Sequence, residues 1–273
     1  MRGWAPSRGP SQSSRASAGT SSSAGTLSRA IVSGAFLALA HESTDARGAA
    51  AGDDCAVGAT RVVESGAELR VTGTGSDAVV CVNGGGRAEV PGTWSSTVEW
   101  LVERLVPRFP GLRFGEVRYR VKSWRRLDLC VEDGRAAIAS LAPRRTLMLG
   151  FSMGGSVSVR LGVDPSVCAV LALAPWLPEE LDLSPLEGKR LAIVHGTLDG
   201  PLPGIPGVTA KSSRHAYERA VSQGIDASYT LVRGGLHGTA VRSPWGRTVS
   251  LPRARAWLDA VGAELARFEE DGR

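Results

Sequence analysis

No run of about 18 apolar residues occurs anywhere in the 273-residue chain, which excludes a polytopic membrane protein and predicts no membrane span. Cysteine is scarce. Four occur, at 55, 81, 130 and 168, with no C-x-x-C pair and no histidine cluster beside them. That spacing predicts neither a zinc site nor any other metal. Cys81 and Cys168 lie inside apolar runs, 78–82 and 167–173, where a free thiol acts as a small buried hydrophobe. Unpaired core thiols point to a reducing, cytoplasmic setting. Excess charge of one sign is also small. The net charge is +5, but residues 1–50 hold five arginines against Glu42 and Asp45, which leaves +2 for the other 223 residues. A nucleic-acid partner is therefore not expected.

What is present is an ordinary globular composition, 42% hydrophobic and 22% charged. Residues 1–60 read as a disordered tail: the first 29 contain nine serines, four glycines and almost nothing large and apolar. Ala30–Ala40 is an apolar run ending in Ala38-Leu39-Ala40, a small-x-small pattern. If that segment acts as a secretory signal, the alternative to a cytoplasmic location is export. Residues 61–273 read as one domain.

From Arg61 onward, strand-length apolar runs alternate with amphipathic stretches. Strands are predicted at 61–63, 69–72, 78–83, 114–119, 146–151, 169–173, 191–195 and 227–232. Helices are predicted at 98–105, 127–141, 153–161, 211–223 and 253–267. In the first helix Val98, Leu101, Val102 and Leu105 share one face. This order implies an α/β fold: a mostly parallel central sheet with helices on both faces and an antiparallel opening. Chemistry in such sheets collects in the loops beyond the strands' carboxyl ends.

Those loops hold the candidates. Gly150-Phe151-Ser152-Met153-Gly154-Gly155 follows a predicted strand and precedes a predicted helix, the context of a G-x-S-x-G nucleophile elbow. Serine needs a base oriented by a third group. Of four histidines, His237 lies in a glycine-flanked loop after the last strand. His195 is the runner-up, and its strand-end place suggests a backbone-orienting or packing role. Asp199, in His195-Gly196-Thr197-Leu198-Asp199, is the orienting acid, with Asp182 as rival. The Met153 N–H, together with Gly84 and Gly85 of Asn83-Gly84-Gly85-Gly86, supplies candidate oxyanion donors.

The chain resembles the α/β-hydrolase superfamily, most closely its small dienelactone-hydrolase-like members with a serine nucleophile. The resemblance covers about residues 61–268 and rests on N-G-G-G at 83–86, G-F-S-M-G-G at 150–155, H-G-T-L-D at 195–199 and G-G-L-H-G at 234–238. It implies cofactor-independent hydrolysis of a small-molecule ester or thioester through an acyl-enzyme. Asn83 stands where many lipases and esterases have histidine, and Ser152 where dienelactone hydrolases have cysteine. An acyltransferase or small peptidase on the same triad, or a non-catalytic binding module, are the alternatives.

Only sixteen residues with three prolines, 174–189, separate the two strands where superfamily lids are usually inserted, so no large lid is expected. Trp94, Trp124, Trp176 and Trp245 each fall in a predicted post-strand segment and are candidates for an aromatic pocket wall. Arg120 and Lys122, in a segment with five basic residues, are candidates to meet an anionic group on the substrate.

Overall fold

A computed structural model describes residues 58–200 and 208–273. The expected tail, with its apolar run at 30–40, lies outside the described residues except at its end. There the first strand already begins at Ala59, two residues inside the stretch assigned to the tail.

In chain order the elements are β1 (Ala59–Val62), β2 (Glu68–Thr72), β3 (Asp77–Val82), β4 (Val90–Pro91), α1 (Ser96–Leu105), β5 (Leu112–Arg118), β6 (Val121–Lys122), α2 (Leu127–Leu141), β7 (Thr146–Phe151), α3 (Gly154–Leu161), β8 (Val167–Leu173), β9 (Arg190–Gly196), α4 (Ala210–Ser222), β10 (Asp226–Val232), β11 (Ala240–Arg242), β12 (Thr248–Ser250) and α5 (Ala254–Glu270). Eight strands form one sheet in the order β1-β2-β5-β3-β7-β8-β9-β10. β1–β2 and β2–β5 pair antiparallel, and every pairing from β5 to β10 is parallel.

Strands covered on both faces need apolar side chains on both, hence the unbroken runs of β3 (DAVVCV) and β8 (VCAVLAL). Alternation along each strand then splits the core in two. Val80, Met148, Val170 and Ile193 face α2, α3 and α4, which contribute Ile138, Val157 and Ala216. Val79, Cys81, Leu147, Leu149 and Leu171 face α1 and α5, which contribute Leu101, Trp257 and Phe268. α1 starts where Ser95 Oγ accepts from the Val98 N–H, a side-chain cap for an otherwise unpaired donor.

Four short strands escaped the periodicity reading. β4 and β6 form one two-stranded sheet, and β11 and β12 form another. Two or three residues are too few for an alternation to show. Between β8 and β9, residues 174–189 carry one 3-10 turn, Ser184–Leu186, and no α-helix. No helix among the described residues is long and apolar enough to cross a membrane.

Candidate active site

β7 ends against Ser152, where the chain turns into α3. Ser152 has φ +55°, a left-handed conformation that costs a non-glycine residue about 1–2 kcal/mol. The surroundings hold it there. Its N–H donates to the Leu173 carbonyl, and its own carbonyl accepts from the N–H groups of Gly155 and Trp176. The two flanking glycines are sterically required. A Cβ on Gly150 would stand 2.3 Å from the Gly154 carbonyl oxygen and 2.5 Å from Ser158 Oγ. One on Gly154 would stand 2.4 Å from the Val82 carbonyl oxygen. Only bare backbone lets β3, β7 and α3 meet this closely.

Two further loops converge at the same edge of the sheet. The loop after β9 brings Asp199, and the loop after β10 brings His237. They are joined by backbone and hydroxyl bonds: Thr197 N–H to the Val232 carbonyl, Leu198 N–H to the Gly235 carbonyl, and Gly234 N–H to Thr197 Oγ1. His237 Nδ1–H donates to Asp199 Oδ2 at 2.7 Å, and the His237 ring lies 5.0 Å, centroid to centroid, from Phe151, the residue before Ser152. Burial pushes the Asp199 carboxyl upward, but the His195 and His237 imidazoles beside it outweigh that and hold the group below the usual aspartate range.

His195 is the residue whose contact the sequence did not disclose. Its Nε2 stands 2.9 Å from the same Asp199 Oδ2, with both side chains fully buried. The approach is off the line of a good hydrogen bond. The four-residue spacing of H-G-T-L-D was the available signal. Asp182, the rival acid, instead accepts from the Ser184 N–H and hydroxyl in its own exposed turn.

The glycine loop after β3 packs directly on the elbow. A Cβ on Gly84 would stand 3.1 Å from Ser152 Cβ, and one on Gly85 would stand 2.6 Å from Met153 Sδ. Among the described residues, the N–H groups of Met153, Gly84 and Gly85 donate to no protein acceptor. Asn83 anchors this loop through Nδ2, which donates to the Val117 carbonyl at 2.7 Å.

The pocket candidates separate. Trp124 and Trp176 come together with ring centroids 6.3 Å apart. Both are tied to the site by backbone, Trp176 N–H to the Ser152 carbonyl and Trp124 N–H to the Gly86 carbonyl. Trp94 is covered instead, with the Arg70 guanidinium 4.4 Å and that of Arg118 5.7 Å from its ring. Trp245 is no wall at all: it is 87% exposed at the tip of the β11–β12 hairpin. Arg120 is also corrected. Its Nε donates to fully buried Asp133 at 2.7 Å and its Nη2 to Glu132 at 2.6 Å, so its charge is neutralised within the fold. Lys122 remains beside the site. Its backbone carbon lies against Gly85 and its Nζ donates to Thr93 Oγ1 at 2.8 Å, with burial lowering its pKa.

A cleft of about 380 Å³ lined by Lys189, Arg190 and Asp226 lies at the amino ends of β9 and β10, the opposite edge of the sheet from Ser152.

No protein-family model matches the sequence, and no curated protein does. Solved structures do match in fold. One is an esterase/lipase from an uncultured bacterium (TM-score 0.57, 16% identity, covering 87% of this chain and 97% of the other). Another is a thermophilic esterase, Est2, from the Planctomycetes species Thermogutta terrifontis (TM-score 0.56, 14% identity, 80% and 96%). A third is an alpha-beta serine hydrolase homologue from Coxiella burnetii (TM-score 0.53, 17% identity, 73% and 91%). The chain has the α/β-hydrolase fold.

Proposed function

We propose that the protein is a serine hydrolase that cleaves a carboxylic ester or thioester through an acyl-enzyme. The observation that carries this reading is the convergence of a buried Asp199–His237 hydrogen bond with a serine held at φ +55° on the same sheet edge. Ser152 Oγ attacks the acyl carbon while His237 Nε2 takes its proton. Asp199 keeps the Nδ1–H tautomer and stabilises the imidazolium. The unpaired N–H groups of Met153 and of Gly84 or Gly85 receive the oxyanion. Collapse expels the alkoxide or thiolate, which takes the proton from His237. Water, deprotonated by the same imidazole, then attacks the acyl-enzyme and releases the acid. Trp124 and Trp176 offer the substrate an aromatic wall, and Lys122 offers a cation to an anionic substituent.

The test is labelling by a fluorophosphonate probe combined with ester and thioester turnover. Wild type is expected to label and Ser152→Ala is not. Ser152→Ala should lower kcat by about 10⁶-fold, and adding His237→Ala should change little, because nucleophile and base act as one unit. A serine variant with near-wild-type hydrolysis would overturn the assignment.

A further inference from the structure

Trp245, displaced from the pocket, sits on a feature the hydrolase chemistry does not use. β11 and β12 form a two-stranded ribbon with the register Ala240↔Ser250, Val241↔Val249, Arg242↔Thr248. Cross-strand partners share a face. Ala240 is buried and Arg242 pairs with Glu99 on α1, so that face rests on the body of the protein at these two points, while Thr248 and Ser250 on it stay exposed. Val241 and Val249 therefore point outward side by side, 44% and 50% exposed.

The turn that joins the strands is rigidly made. Ser243 N–H donates to the Arg247 carbonyl at 2.7 Å and Gly246 N–H to the Ser243 carbonyl at 2.9 Å, while Gly246 takes φ +79°. The ribbon's base is equally fixed, with Thr97 Oγ1–H donating to the Ala240 carbonyl and Leu251 N–H to the Thr239 carbonyl. The result is an anchored protrusion with an apolar outer face and a tryptophan at its tip. Exposed apolar groups clustered this way mark an interaction surface.

Its charge identifies the partner. Between Asp226 and Asp259 the chain has no carboxylate side chain and five arginines, Arg233, Arg242, Arg247, Arg253 and Arg255. All five are exposed, and among the described residues only Arg242 has a carboxylate partner. Beside the root of the ribbon, Arg253 and Arg255 line a cleft of about 570 Å³ with Trp100, Leu251 and one carboxylate, Asp259. A second copy would bring the same arginines face to face, and the basic residues of 1–50 would meet them with like charge. The partner must be anionic yet able to take aliphatic side chains. Nucleic acid offers phosphates and stacking but nothing to receive two valines. A bilayer surface offers anionic headgroups above hydrocarbon, the setting in which tryptophan and arginine lie together.

We propose that the β11–β12 hairpin docks this protein on anionic lipid surfaces, with Trp245, Val241 and Val249 entering the interface and the unpaired arginines meeting headgroup phosphates. The inference rests on no assignment of catalytic residues.

The experiment is co-sedimentation of the full chain with phosphatidylcholine vesicles and with phosphatidylcholine–phosphatidylglycerol vesicles, at low and raised salt. Binding is expected only to the anionic vesicles, weakening as salt rises. Trp245→Ala with Arg247→Glu should lower the partition coefficient about tenfold or more, since one basic residue alone accounts for about fivefold at such a surface. Turnover of a soluble short-chain ester should be unchanged in that variant, which separates this inference from the catalytic reading. Three results would overturn it: no binding to anionic vesicles at low salt, equal binding by the double variant, or variant-sensitive binding to a single-stranded oligonucleotide or to itself in place of vesicles.

Discussion

Asp199 Oδ2 is approached by two imidazoles, and on the proposed mechanism they do different work. His237 exchanges the proton, whereas His195, with no exposure to solvent, can only hold the carboxylate. His195→Ala removes a positioning residue. The 2.9 Å contact is close but not a well-aligned hydrogen bond, so its loss costs about 1 kcal/mol and kcat should fall by about fivefold with KM little changed. The Asp199 carboxylate, freed of its His195 contact, would hold the proton it shares with His237 more tightly. The acidic limb of kcat/KM should therefore move to higher pH, and a partly restored limb in His195→Gln would argue for a polar contact over mere packing. Steady-state kinetics across pH read both, and an unmoved limb would count against this role. At this scale the sequence was informative where a residue's type and neighbours sufficed, as with Ser152 between its glycines. Arg120 was misplaced because its partner, Asp133, lies on the next helix and nothing in the local pattern marks that pairing.

At the scale of elements, the loop bearing His237 owes its position to α1. Thr97 Oγ1 accepts from the Thr239 N–H, and Thr239 Oγ1–H donates back to the Thr97 carbonyl. Gly238 makes this contact possible. It has φ +96°, and a Cβ there would stand 2.4 Å from Thr97 Oγ1 and 3.1 Å from the Phe151 ring. Gly238→Ala should therefore lower stability by about 1–3 kcal/mol and lower kcat at the same time, because the loop cannot reseat without moving His237. Thermal unfolding and turnover of the same preparation check it; a folded variant with full kcat would show that the lock is dispensable. The central strands and the five helices were legible because they carry a full period of apolar residues, whereas β1 (ATRV), exposed throughout, was placed two residues late. The β11–β12 ribbon was not, and with it the direction of Trp245. Order along the chain says which edge of the sheet a loop occupies, while a three-residue strand pairing decides which way its side chains face.

Across the whole molecule, five parallel strand pairings gather the loops after β3, β7, β9 and β10 at one edge, so residues spread from 83 to 237 meet there. Tight assembly at that edge is bought with backbone distortion, and the distortion sets usefulness against durability. Ser152 (φ +55°) has a counterpart far from the chemistry in Ala142 (φ +44°), which ends α2. Glycine is at ease in both conformations. Ala142→Gly and Ser152→Gly should each raise stability by up to about 1 kcal/mol, or about 2–4 °C in Tm for a domain this large. The first should keep full turnover and the second should lose it. Calorimetry of the two variants is the check, and a lower Tm in both would remove the premise. The most direct route to a hardier form of this protein at its elbow is thus closed to selection for activity, and hardiness has to be sought at other left-handed positions such as the end of α2.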